Sequence, residues 1–262
     1  MPRTSRLDAE LVRRGLSPSR EQARRAIEAG KVLVRGLPAP RPATRVSPDD
    51  PIAIDAPGQR FVSRGGHKLD HALARLDVTV AGRRWLDAGA STGGFTDRLL
   101  QGGASAVIAV DVGYGQLDWG LRTDDRVVVL ERTNVRHLAP GDLPWAPDGV
   151  AADVSFISLE LIIPSLVSVA SPDADYVLLV KPQFEVGKES VGKGGVVRDP
   201  SLWRAALERV VGSGRRLELG LIGAAPSEPP GPAGNREFFV HMRRGAREQD
   251  DAIQAVIQEV SP

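Results

Sequence analysis

Cysteine is absent from the chain, which excludes disulfides, thiolate metal sites and any cysteine nucleophile. Histidine is almost as scarce, with only His67, His71, His137 and His241, and no metal site is expected. Long apolar runs are missing too. The best stretch, Leu159 to Ala170, is broken by Glu160 and Pro164 and falls short of the ~18 residues that a spanning helix needs. The N-terminus carries no apolar signal region. A cytoplasmic protein without a membrane partner is the natural expectation. Net charge is also nearly missing, at +1, but that balance hides an asymmetry. Residues 1–60 hold 12 Lys/Arg against 7 Asp/Glu, a net of +5, and the remainder holds 22 against 26, a net of −4. A basic small domain beside a mildly acidic larger one suggests a polyanion partner for the former. The 262 residues accommodate one α/β domain of roughly 200 residues and one small domain.

The small domain comes first, over residues 1–58. Leu7, Leu11, Val12 and Leu16 share one helical face across residues 6–16. Ser19 and Gln22 read as a capping box for a second helix through Ala23, Ala26 and Ile27, ending at Gly30. Arg20, Arg24 and Arg25 lie off its apolar stripe and form a basic face. A period-2 strand, Lys31 to Val34, closes at Arg35-Gly36, and a proline-rich stretch leads to Ile52-Ala53-Ile54. The set Leu7-Asp8, Leu11, Gly15, Ser19-Arg20, Ala23, Ile27, Gly30, Val32, Val34 and Gly36 resembles the S4 RNA-binding domain. The resemblance implies a platform whose basic residues meet RNA phosphates and position a substrate without reading much sequence. Arg6, Arg20, Arg24, Arg25 and Lys31 are its RNA-binding candidates, with Arg64 beyond the linker. RNA rather than DNA is the expected partner. Residues 59–63, with Gln59-Arg60-Phe61-Val62, form the linker.

Across residues 64–262 apolar runs alternate with helical stretches, the pattern of a doubly wound, Rossmann-like parallel sheet. Strands are expected at Trp85–Asp87, Val107–Asp111, Val127–Leu130, Val150–Asp153 and Tyr176–Val180, then near 217–223 and 237–242. Asp199-Pro200 should cap a helix over about 200–212. After the first strand comes Asp87-Ala88-Gly89-Ala90-Ser91-Thr92-Gly93-Gly94-Phe95. Its Gly-x-x-x-Gly-Gly spacing departs from the Gly-x-Gly-x-x-Gly that cradles a dinucleotide pyrophosphate. S-adenosylmethionine has no phosphate to cradle. Its amino-acid end needs a carboxylate acceptor, which Asp87 can supply, and Asp111, at the end of the next strand, can accept from both ribose hydroxyls of an adenosine. Gly89, Ala90, Ser91, Thr92 and Gly93 complete the cofactor loop, and Thr133 and Asn134, past the third strand, are further cofactor candidates. NAD is the competing cofactor, and a tight βα turn with an incidental acid is the structural alternative.

Ligands in a parallel sheet sit at the carboxyl ends of the strands. Asp153 ends the fourth strand and Lys181 the fifth. In a methyltransferase sheet the last strand runs antiparallel, so Glu237, which begins it, reaches the same edge. Lys68, in Ser63-Arg64-Gly65-Gly66-His67-Lys68-Leu69, stands just before the sheet. Methylating a hydroxyl is an in-line displacement from sulfonium to oxygen, and the hydroxyl is a poor nucleophile until its proton leaves. An ordinary lysine (pKa ~10.4) is protonated at neutral pH, while a neighbouring cation and burial favour the free amine. Lys181 therefore reads as base or hydroxyl-steering group, oriented by Asp153 and Glu237, with Lys68 tuning the site and holding substrate. Pyrimidine C5 methylation would require the missing cysteine. Amine methylation usually shows Asp/Asn-Pro-Pro-aromatic where this chain has Asp153-Val154-Ser155-Phe156.

The whole pattern resembles the TlyA, or haemolysin A, family of bacterial rRNA 2′-O-methyltransferases from about Arg6 to Arg243. Besides the loop and the Lys68 motif, the resemblance is carried by Asp111-Val112-Gly113-Tyr114-Gly115-Gln116-Leu117 and Glu131-Arg132-Thr133-Asn134. Asp153-Val154-Ser155-Phe156-Ile157-Ser158 and Lys181-Pro182-Gln183-Phe184-Glu185 complete it. The catalytic half resembles the FtsJ/RrmJ ribose methyltransferases, whose Lys-Asp-Lys-Glu tetrad falls on Lys68, Asp153, Lys181 and Glu237. The resemblance implies methylation of cytidine 2′-hydroxyls in 16S and 23S rRNA of the ribosomal subunits, and a link to sensitivity to capreomycin-type antibiotics. Phe61 stands where close relatives often carry tryptophan. Arg3 and Arg6, before the first helix, resemble the longer branch that acts on both subunits. Two other readings compete: a membrane-active haemolysin, suggested by the older name, and a non-catalytic rRNA-binding assembly factor. The sequence carries no signal of oligomeric state.

Overall fold

The computed structural model describes residues 4–17, 19–28, 30–35, 37–54, 60–192, 194–231, 234–249 and 251–261. Arg3, Gly36 and Gln59 lie outside the described residues. Contacts divide the chain into two units, Met1–Gln59 and Arg60–Pro262.

In the first unit, β1 (Ser5–Arg6) leads into α1 (Leu7–Arg13), followed by α2 (Arg20–Glu28), β2 (Val32–Val34), β3 (Leu37–Pro38), β4 (Arg45–Val46) and β5 (Ile52–Ile54). β2 is the centre of a three-stranded antiparallel sheet, flanked by β3 and β5. β1 pairs with β4. Leu7, Leu11, Ala23, Ile27, Val32 and Val46 are buried as its core. The first helix is shorter than the apolar pattern suggests. It stops at Arg13 because Gly15 takes a left-handed φ of +70°, which turns the chain and leaves Leu16 on the surface. Ser19 does cap the second helix, accepting from the Gln22 amide at 3.2 Å.

The second unit runs α3 (Arg64–Arg75), β6 (Arg84–Ala88), α4 (Gly94–Gln101), β7 (Ala106–Val110), α5 (Trp119–Arg122), β8 (Val127–Leu130), β9 (Gly149–Ala152), α6 (Ile163–Val169) and β10 (Asp175–Val180). Then come α7 (Pro182–Glu185), α8 (Pro200–Arg215), β11 (Leu219–Pro226), β12 (Phe238–Arg244) and α9 (Ala252–Val260). The seven strands are ordered β11-β12-β10-β9-β6-β7-β8. β6 to β10 are parallel, and β12 is antiparallel to both neighbours. Central strands read as continuous apolar runs because both faces are covered. One face packs Leu86, Ile108, Val150 and Leu178 against α6, α8 and α9. The other packs Trp85, Val107 and Val177 against α3 and α4. Asp199 accepts from the Ser201 amide and, with Pro200, starts α8 as its sequence indicates. The order reverses at β6, whose two parallel neighbours, β7 and β9, leave their connections on opposite sides, so a crevice opens above its carboxyl end. No helix among the described residues is long and apolar enough to cross a membrane.

Candidate active site

The loop after β6 is held by two glycines that admit no side chain. Gly89 has φ +89°, and a Cβ there would sit 2.6 Å from the Asp153 carbonyl oxygen. Gly93 has φ +96°, and its Cβ would meet Leu121 at 2.3 Å. Between them Ser91 also adopts a left-handed conformation, at φ +50°, and its amide donates to Asp111 Oδ2 at 2.8 Å. The Gly113 amide donates to Asp111 Oδ1 at 2.6 Å. Asp111 thus ties the β6 and β7 loops together, and its remaining lone pairs are free for other donors.

Two cavities adjoin on this edge. One of about 530 Å³ is lined by Asp111, Val112, Gln116, Thr133 and Asn134. The other, about 590 Å³, is lined by Arg64, Lys68, Asp153, Lys181, Asn235 and Glu237, with Ala90 and Thr92 at its loop side. Gly89, Ser91, Asp153, Ser155 and Phe156 line both. The four charged residues therefore converge, and they do so as two ion pairs. Lys181 Nζ is 2.5 Å from Asp153 Oδ1 and donates to Ser155 Oγ at 3.0 Å. Lys68 Nζ is 2.5 Å from Glu237 Oε2, and these side chains are only 7% and 2% exposed. An ammonium has three protons, so Lys181 retains one donor beyond Asp153 and Ser155.

Asp87 sits differently. It is wholly buried, its Oδ2 accepting from the Thr96 amide at 2.8 Å and the Thr96 hydroxyl at 2.6 Å, while Oδ1 is buried without a partner. Burial pushes this carboxyl up to about 7. It lines neither cavity, so it braces the loop from beneath, because β6 carries it into the sheet one residue before the strand ends. Asn134 uses its Oδ1 to accept from the Arg136 amide, and Thr133 donates its hydroxyl to the Glu131 carbonyl.

Two features escaped the motif reading. Phe156, 91% exposed, stands with φ +65° beside Phe184 at 5.1 Å between ring centroids. Its signal in the sequence was an aromatic next to the Asp153 motif, but nothing there foretold exposure. Glu185 is the second. Buried, it accepts from Ser158 Oγ at 2.5 Å and the Leu159 amide at 2.9 Å, tying the loop that carries Asp153 to the one that carries Lys181. Burial raises its carboxyl above the usual range despite those donors.

The candidate RNA residues of the first unit are partly spoken for. Arg6 and Arg20 both reach Asp8, at 2.9 and 3.1 Å, Arg24 pairs with Glu28 and Arg25 with Glu21. The Arg6 guanidinium, ahead of the other donors, holds the Asp8 carboxyl at about 2. Lys31 is exposed and has no partner among the described residues. No group of three or more His, Asp or Glu able to hold a metal occurs among the described residues.

Comparison with known proteins places this geometry. The FtsJ-like methyltransferase model matches residues 61–244 and the S4 domain model matches residues 5–52. The 16S/23S rRNA (cytidine-2′-O)-methyltransferase TlyA of Mycobacterium tuberculosis is 52% identical, with 99% of each chain covered. Hemolysin A of Brachyspira hyodysenteriae is 35% identical over 90% of this chain and 99% of its own. A solved structure from Streptococcus thermophilus, described as a hemolysin candidate, superposes with TM-score 0.75 at 39% identity, covering 99% of this chain and 96% of the other.

Proposed function

The chain belongs to the FtsJ-like methyltransferases, in their TlyA branch, and on that premise we propose that it methylates the 2′-hydroxyl of cytidine in ribosomal RNA from S-adenosylmethionine. One observation carries the reading: the cavity beside Asp111 and the cavity holding Lys68, Asp153, Lys181 and Glu237 share a wall at Gly89, Ser91 and Asp153. A donor in the first and an acceptor in the second would meet across that wall. The residues fit the cofactor. Gly89 and Gly93 keep the loop open to a close ligand, and Asp111 has lone pairs for the two hydroxyls of an adenosine ribose. When bound, S-adenosylmethionine supplies a methyl group on a sulfonium, ready for displacement.

The chain's own residues then position the acceptor. Lys181, held by Asp153 and Ser155, turns its third N–H toward the cavity and fixes the hydroxyl oxygen. Asp153, partly exposed at the shared wall, is placed to take the hydroxyl proton as the oxygen forms its new bond. Lys68 and Glu237 neutralise each other at the cavity floor and set its shape. Phe156 offers an exposed ring on which a base splayed out of the RNA can stack. The Lys31 side of the first unit adds backbone contacts, with affinity set by counterion release. Modification of both 16S and 23S rRNA, the two substrates in the M. tuberculosis relative's name, and a link to capreomycin-type antibiotics, which the family resemblance implies, belong to the same proposal.

The test is rRNA from cells with and without the gene, mapped for alkali-resistant positions, since a methylated 2′-oxygen cannot attack the adjacent phosphate. Lys181→Ala and Asp153→Ala should each lower methyl transfer at least ~10²-fold, with S-adenosylmethionine affinity within several-fold of wild type. The double variant should be far less than multiplicatively worse, because the pair acts as a unit. Near-normal turnover by Lys181→Ala would remove this lysine from the mechanism, and a methyl group on a base would overturn the ribose assignment.

A further inference from the structure

Arginines at the two edges of the second unit's sheet differ in how they are paired, although Arg122 does pair with Glu131 at the carboxyl end of β8. On the amino edge Arg83 and Arg243 pair with Asp175, Arg84 with Asp148, Arg126 with Asp124 and Arg244 with Glu218. Arg247 is the unpaired exception there among the described residues. On the carboxyl edge Arg64, Arg132, Arg136, Arg198 and Arg236 have no carboxylate partner among the described residues. An acidic domain that leaves cations unpaired around one site presents that edge to an anion.

Arg198 and Arg236 stand out because they share a built groove of about 660 Å³, which no cofactor or tetrad residue enters. The backbone beneath them is pinned. Asn235, buried, accepts from the Val197 amide at 2.9 Å and donates to the Gly195 carbonyl at 2.9 Å. Trp203 Nε1 donates to the Val197 carbonyl at 2.9 Å. The wall between groove and reaction cavity is one residue thick: Asn235 and Glu237 face the cavity, and Arg236 between them faces the groove. The groove's two carboxylates do not pair with either arginine. Glu259 pairs with Arg75 at 2.7 Å, and Glu228 lies 3.9 Å from His71.

We infer that Arg198 and Arg236 form a phosphate clamp for the RNA backbone next to the target nucleotide, holding the strand across the wall from Lys68 and Glu237. The inference rests on the RNA reading above and adds a contact site on the catalytic domain itself. Guanidinium groups suit phosphate by their planar, multi-donor geometry, and their rigid mounting lowers the cost of ordering them.

The experiment titrates full-length protein against a fluorescent, mixed-sequence RNA hairpin over a range of salt concentrations. Each phosphate contact contributes about 0.7–0.9 to the logarithmic salt slope, so Arg198→Ala/Arg236→Ala should flatten it by about 1.4–1.8 and weaken binding. S-adenosylmethionine affinity should not change, which also reports that the variant is folded. Arg198→Lys/Arg236→Lys should restore most of the slope. Arg126→Ala/Arg247→Ala, with the same charge change on the opposite edge, should leave it near wild type. A wild-type slope in the Arg198/Arg236 variant, or an equal flattening in the opposite-edge control, would overturn the clamp. The outcome is independent of the methyl-mapping experiment, so loss of the ribose assignment and loss of the clamp are separately readable.

Discussion

The Lys68–Glu237 pair lets stability and catalysis be separated. Both side chains are almost fully buried and 2.5 Å apart, so Lys68→Met would leave an ionised carboxylate in the domain interior with no counter-charge. Removing one partner of such a pair costs about 3–5 kcal/mol, whereas replacing both with apolar groups of similar volume is often neutral. For a domain of this size 1 kcal/mol moves the melting temperature by about 2–4 °C, so Lys68→Met should melt about 6–20 °C lower. Lys68→Met/Glu237→Leu should regain most of the wild-type melting temperature and still transfer no methyl group. The assay is thermal unfolding of full-length protein, beside methyl transfer at a temperature where every variant is folded. A Lys68→Met variant as stable as wild type would refute the burial argument. A double variant that transfers methyl groups would refute the catalytic one.

Two further perturbations address the cofactor side. Asp111→Ala should weaken S-adenosylmethionine binding by about 2–3 kcal/mol through two lost charge-assisted hydrogen bonds, and the freed Ser91 and Gly113 amides should loosen the loop as well; calorimetry that finds NAD the tighter ligand of the wild type would defeat the assignment. Asp87, pushed up to about 7 by burial, should make the second unit lose stability as pH rises. Between about pH 4 and 7 the folded carboxyl keeps a proton that the unfolded one releases, a change on the order of 4 kcal/mol. Asp87→Asn should flatten that slope in denaturant titrations, and an unaltered pH dependence would show that Asp87 is ionised in the folded protein.

Much of the fold was legible because it is written in local patterns. Both expected domains are matched by family models, and the strand runs from Trp85 to Val180 fall within two residues of their observed positions. Apolar runs bounded by Gly and Asp survive any tertiary context when both sheet faces are covered. The apolar pattern over residues 6–16 extends past the helix Leu7–Arg13, since an apolar face cannot report where a left-handed glycine ends it. Leu16 belongs to the periodicity and not to the core. α9 carries its own local signal in the helical spacing of Ile253, Val256 and Ile257.

Side-chain partnership was the part the sequence could not display. Position along the strands brought Lys68, Asp153, Lys181 and Glu237 to one edge, and the structure adds which carboxylate each lysine chooses. Asp87 and Asp111 look equivalent as acids at or near strand ends, yet Asp87 lies opposite Ala109, two residues short of Asp111, and that offset buries the first under the loop and leaves the second on the cavity wall. Charge counting points to the first domain as the RNA platform because residues 1–60 carry a net +5, but the arginines singled out there, Arg6, Arg20, Arg24 and Arg25, are paired with Asp8, Glu28 and Glu21, so the surplus lies on other cations such as Lys31. Residues 61–262, net −4, leave Arg198 and Arg236 unpaired beside the reaction cavity. A phosphate responds to the charges that are not already satisfied, so the distribution of unpaired cations, and not the sum over a domain, decides where the RNA backbone should lie.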